Sequence, residues 1–122
     1  MKYFKIDRVL GEIKEGKIKC TFEDRPKKYK IVNNYGDIPG MYNKADGDPW
    51  DVFAPGYERT LPFNKMYKVK SVIGVLLLED GNHKIAVRLN ASGYDPEKGE
   101  RDINKYCKKY LGLKNINGYF IK

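Results

Sequence analysis

The sequence predicts a mainly β protein, a small closed β-barrel packed by one C-terminal helix. Three observations carry that reading. Short runs rich in β-branched and aromatic residues recur between Gly, Pro, Asn and Asp breaks. Glu15-Gly16 and Asp80-Gly81-Asn82 each read as a tight turn between two apolar runs, so each is expected to close a hairpin. Only near the end does the apolar spacing lengthen to that of a helix.

Taken in order, the expected strands are residues 3–9, 17–22, 29–32, 51–53, 67–78 and 84–89. The helix is expected over residues 102–111, because Ile103, Tyr106, Cys107, Tyr110 and Leu111 recur at helical intervals and Gly112 is placed to stop it. No period repeats and no low-complexity tract interrupts the pattern. A chain of 122 residues can close one modest core, so residues 1–122 are expected to form a single domain.

Composition sets limits on function. With 41% hydrophobic and 33% charged residues, the chain has the make-up of a folded protein rather than a disordered one. The longest strongly apolar stretch, Val72 to Leu78, is far short of the roughly 20 residues a membrane helix needs. Met1-Lys2-Tyr3 begins no signal peptide, so a cytoplasmic protein with no membrane partner is expected. Cys20 and Cys107 stand in no CxxC pair and read as reduced thiols.

The net charge of +8 implies an anionic partner without choosing among nucleic acid, a small polyphosphate and solubility. The densest basic group, Lys27, Lys28 and Lys30, reads as a solvated face. An oligonucleotide-binding barrel would suit the charge and the ten tyrosines. Against nucleic acid, basic and aromatic residues do not alternate on any one strand, and clustered aspartates repel a phosphate backbone.

Those aspartates lie in Asp46-Gly47-Asp48-Pro49-Trp50-Asp51, three carboxylates within six residues. Like charges held a few ångström apart raise one another's pKa, so a bound cation is the usual reason for gathering them. Oxygen ligands point to magnesium, manganese or calcium. The alternative is a solvated acidic turn, since Asp, Gly and Pro are common turn residues. An EF-hand does not fit, because the later glutamate and the flanking helices are missing. Removing one crowded carboxylate should relieve repulsion and leave the metal-free fold intact. His83 reads as an exposed turn residue with no second histidine for zinc, and Trp50 as a packing residue.

Upstream stands Asn34-Tyr35-Gly36-Asp37-Ile38-Pro39-Gly40; downstream are Pro62, Ile73-Gly74-Val75-Leu76, Asp80 and Lys84-Ile85-Ala86-Val87. In order and spacing, residues 34–87 resemble the soluble family I inorganic pyrophosphatases, which share an Asn-Tyr-Gly-x-Ile-Pro-Gly segment, an Asp-Gly-Asp-Pro-x-Asp signature, a Gly-Val-Leu strand leading to acidic residues, and a lysine opening the next strand. The resemblance implies an OB-like barrel and magnesium-dependent hydrolysis of pyrophosphate to two phosphates, with manganese as an alternative ion.

By the same resemblance, Asp46, Asp51 and Asp80 would hold the metal, and Asn82 stands where the family has a further aspartate. Asp48 would take the proton of a water whose pKa the metal lowers, and Tyr35 would orient that water. Lys84, with Arg8 or Arg25, would clamp the phosphates. Arg8 lies on a segment like the family's arginine strand but far ahead of Tyr35, and Arg25 competes for the role; Lys2 and Glu12 are weaker matches to other family positions. Tyr110 matches a tyrosine of the family's closing helix, and also reads as a core residue. Leu111 stands where that helix carries a lysine, with Lys109 or Lys114 as substitutes. Since Asn82 and Leu111 both lack an expected charge, a catalytically weak module that binds magnesium and a polyphosphate or nucleotide is the second reading. A homo-oligomer is compatible with either.

Overall fold

The structure, a computed structural model, describes residues 1–25, 31–32 and 34–122. Five strands close a ring: β1 (Lys19–Phe22), β2 (Tyr35–Tyr42), β3 (Pro49–Phe53), β4 (Tyr67–Leu78) and β5 (Lys84–Leu89). They run in the order β1-β2-β3-β5-β4, and antiparallel pairing of Lys19 with Lys68 and of Cys20 with Tyr67 joins β1 back to β4. The far end of β4 instead pairs with β6 (Gly118–Ile121).

Two-residue alternation divides the chain between two cores. Trp50 and Val52 of β3 pack in the barrel core with Ile38, Val69, Ile85 and Val87. Phe53 belongs to a second core with Tyr35, Leu76 and Ala86, covered by Ile103, Tyr106 and Tyr110 of α2 (Pro96–Lys114). The same alternation brings Asp51 and Lys84 to this outer face.

α2 starts earlier than its apolar spacing suggests. Pro96 occupies the first turn, and the Asp95 carboxylate accepts the Glu97 N–H at 3.0 Å. It runs through Gly112 and stops at Asn115, whose φ of 50° is left-handed.

The expected strand over residues 3–9 is a helix, α1 (Ile6–Lys14), preceded by a bridge between Tyr3 and Tyr42. Ile6, Val9, Leu10 and Ile13 fall at helical intervals, and Val9 and Ile13 are buried in the barrel core. Two helices therefore pack on the barrel, and Glu15-Gly16 ends α1 rather than turning a hairpin, with Gly16 at φ 78°. Asp80-Gly81-Asn82 does join the antiparallel pair β4 and β5.

β2 and β6 lie where no strand was expected. Pro39 and Gly40 read as breaks, but β2 absorbs them in an irregularity between Ile38 and Tyr42, where Gly40 has φ 85°. Of the strand expected over residues 29–32, Ile31 and Val32 lie in a bend; Tyr29 and Lys30, like Lys27 and Lys28, are outside the described residues. Among the described residues, no helix is long and apolar enough to cross a membrane.

Candidate active site

The outer face of the barrel meets the end of α2 in a cleft of about 270 Å³. Pairing register builds its floor. β3 runs parallel to β5 with Val52 beside Ile85, which sets Asp51 next to Lys84, and the Lys84 Nζ donates to Asp51 Oδ2 at 2.6 Å. Lys84 is only 3% exposed. Burial raises the Asp51 pKa, while Lys84 and the Tyr35 hydroxyl act against that rise.

The acidic wall rests on a turn that holds itself. The Asn43 N–H donates to the Asp48 carbonyl and the Gly47 N–H to the Asn43 carbonyl, both at 2.8 Å. Asn43 Oδ1 accepts from Ala45 N and Asp46 Oδ1 from Asp48 N, both at 3.0 Å. Gly47, at φ 76°, supplies the left-handed step. Asn43 Nδ2 donates to the Gly81 carbonyl at 3.1 Å, tying this turn to the β4–β5 hairpin.

Tyrosines and cations face the carboxylates. Tyr35, Tyr106 and Tyr110 stack in sequence, with centroids 6.2 Å and 5.7 Å apart. The Arg25 guanidinium lies 4.2 Å from the Tyr35 ring centre, and the Lys84 ammonium 5.4 Å from that of Tyr110. Burial, and then Asp51, push the Tyr35 hydroxyl pKa up, which keeps it a neutral donor.

The cleft thus gathers Asp46, Asp48, Asp51, Asn82, Lys84, Tyr35, Tyr110 and Arg25. Arg8 lies elsewhere, because its segment is helical: it is exposed on α1 and its Nε donates to Glu12 at 3.1 Å. Asp80 is exposed and not part of the cleft wall; its Oδ1 accepts the Asn82 N–H at 2.9 Å. Lys114 lines the cleft, whereas Lys109 is exposed and does not. Tyr110 serves both as a core residue and as cleft wall.

Sequence reasoning passed over Glu23 and Tyr106, which also line the cleft. Glu23 stands two residues before Arg25, on the same side of an extended chain, and that spacing was the available signal. His83 is not an exposed turn residue: it is partly buried, its Nδ1 accepts the Leu78 N–H at 2.9 Å, and its ring stacks on Trp50. Trp50 is 3% exposed, as a packing residue should be.

A family model for inorganic pyrophosphatases matches residues 5–121. The chain belongs to the inorganic pyrophosphatase family. A search of curated proteins gives no significant match.

Members of this family typically need a metal ion. Among the described residues no three carboxylate, imidazole or thiol groups stand close enough to form a ligand set; Asp51 is bonded to Lys84, and Asp46 caps its own turn. The donor chemistry nevertheless fits a hard cation. Asp46, Asp48 and Asp51 share the cleft with Asn82, whose Oδ1 is buried and has no hydrogen-bond partner.

Proposed function

We propose that this chain, as a single cytoplasmic domain, hydrolyses inorganic pyrophosphate to two phosphates with magnesium, manganese being able to replace it. The observation that carries this reading is the convergence of Asp46, Asp48 and Asp51 with Lys84, Arg25 and Lys114 in one cleft. Asp46, Asp51 and the Asn82 amide oxygen would hold the metal; Asp80 is left out because it does not line the cleft. When bound, magnesium supplies positive charge against the phosphates and lowers the pKa of the attacking water.

The remaining work falls to side chains. Asp48 is exposed at the cleft and free of any ion pair among the described residues, so it takes the proton as the water oxygen bonds to phosphorus. Tyr35, a neutral hydroxyl, orients that water. Lys84, Arg25 and Lys114 bind phosphate oxygens and stabilise charge on the departing phosphate as the bridging P–O bond breaks. Tyr110 adds a hydroxyl to the same wall.

Phosphate release from magnesium pyrophosphate tests this directly. Asp48→Asn should lower turnover about 10²- to 10⁴-fold, the usual contribution of a positioned base. The second reading, a module that binds magnesium and a polyphosphate or nucleotide without turnover, draws on the uncharged Asn82 and Leu111. It would be favoured if the parent protein released phosphate no faster than Asp48→Asn yet bound magnesium pyrophosphate in calorimetry.

A further inference from the structure

A second cavity, of about 480 Å³, lies against the loops that build the cleft. Its walls are of a different kind. Tyr3, Phe4 and Ile6 come from the N-terminal segment, and Trp50 and His83, stacked on one another at 6.2 Å, also line it. Lys5 and Lys44 are exposed there and outnumber Asp7, the rim's acidic residue.

The two cavities share their dividing wall. Ala45, Gly81 and His83 line this cavity, whereas the neighbouring Asp46, Asn82 and Lys84 line the cleft. The Asn43 to Gly81 hydrogen bond joins the two loops of that wall. Internal bonding has already used two polar groups of the ring pair: Trp50 Nε1 donates to the Phe4 carbonyl at 2.8 Å, and His83 Nδ1 accepts from the Leu78 N–H. The surface left to a ligand is mainly apolar, with the Lys5 and Lys44 ammonium groups exposed beside it.

We propose that this cavity binds a flat aromatic anion, such as an aromatic carboxylate, sulfonate or phosphate ester, separately from the phosphate-binding cleft. The volume lies within the roughly 300–1,000 Å³ of small-molecule sites, which are mostly apolar with a few placed polar groups. Trp50 is buried against His83, so the accessible rings are those of the exposed Tyr3 and the partly exposed Phe4, which favour a planar aromatic partner, and the lysines select for negative charge. An inorganic polyphosphate would find too few donors here to replace its water. A bound ligand would rest on the back of the turn that carries Asp46 and Asp48.

Trp50, the chain's single tryptophan, gives the measurement. Titration with 8-anilinonaphthalene-1-sulfonate should quench Trp50 with energy transfer and saturate at one probe per chain. The uncharged analogue N-phenyl-1-naphthylamine should bind about tenfold more weakly, and Lys5→Glu with Lys44→Glu should remove that preference. Both lysines are exposed, and a glutamate at the start of α1 suits the helix dipole, so the double variant should fold. Saturating inorganic phosphate should leave the probe in place. Displacement by phosphate, equal affinity for the two probes, or the absence of one-to-one saturation would each overturn the assignment.

Discussion

Asp51 and Asp46 are two carboxylates of one motif with opposite structural roles. Removing a crowded carboxylate is expected to relieve repulsion, and that remains the expectation for Asp46, which is exposed and, among the described residues, bonds only within its turn. For Asp51 the structure supports the opposite sign, because Lys84 is buried and its ammonium has this carboxylate as its ion-pair partner. Asp51→Ala should cost about 3 kcal/mol of metal-free stability, the low end for a broken buried pair since Asp51 keeps some exposure, while Asp46→Ala should be near neutral. Urea unfolding of both in EDTA checks this, and equal midpoints would mean Lys84 finds another partner or loses its proton. Asn82→Asp should act through the metal instead. Its Oδ1 is buried in the cleft without a hydrogen bond, so a carboxylate there should lower the magnesium concentration giving half-maximal phosphate release. Superimposable titrations would take residue 82 out of the ligand set. At this scale the sequence was most readable where a motif is local: Asp46, Asp48 and Asp51 are fixed by one turn and one strand. Glu23 and Arg25 were hard to place because it is pairing of β1 with the unforeseen β2 that brings the end of β1 to the cleft, where the Glu23 N–H donates to the Tyr35 carbonyl at 3.0 Å.

Elements were misread where a short segment satisfies two patterns. Residues 3–9 carry enough β-branched and aromatic side chains for a strand, but the helical spacing continues to Ile13, four residues beyond the expected end, and burial of Val9 and Ile13 decides the outcome. β2 was missed for the opposite reason, since Gly36, Pro39 and Gly40 look like breaks when only local propensity is weighed. Gly36 is instead a packing requirement. A Cβ there would lie 1.8 Å from the Thr21 carbonyl oxygen, because β1 crosses β2 at that point with Phe22 paired to Gly36. Gly36→Ala should therefore force β1 away from β2 and destabilise by about 3 kcal/mol or more, the upper part of the range for overpacking. Gly40→Ala meets no atom within 4 Å and carries only the strain of a positive φ, about 1 kcal/mol. Thermal unfolding of the pair separates the two causes. Similar losses would show that β1 yields easily, and that the Asn-Tyr-Gly glycine is not held by this crossing.

For the molecule as a whole, the open question is whether the barrel closes and opens as one unit. The expectation of a small closed barrel with a C-terminal helix agrees with the structure, since hairpin turns and strand-rich runs leave few other ways to bury so many β-branched residues. The seam could not be foreseen, because pairing of β1 with β4 depends on strand order rather than on any local signal. It is also thin: two residue pairs and the Val69 N–H donating to the Ile18 carbonyl at 3.0 Å. The two cysteines report on it. Cys20 lies in the seam, wholly buried in the barrel core, with its thiol pKa pushed up to about 12 chiefly by burial. Cys107, on α2, is partly buried and its pKa is pushed up to about 11, again by burial. Thiolate is the reactive form, so both should be slow, and Cys107 should react first because fraying of α2 can expose it. Cys20 should react only through global unfolding, since Phe22, Val69 and Val87 pack in the same core. In native protein treated with a thiol reagent at rising urea, the Cys20 rate should climb with the full slope of equilibrium unfolding, and the Cys107 rate with a shallower one. If Cys20 labels with a shallow slope, the β1–β4 seam opens by itself, and the barrel is a curled sheet that closes reversibly rather than one cooperative ring.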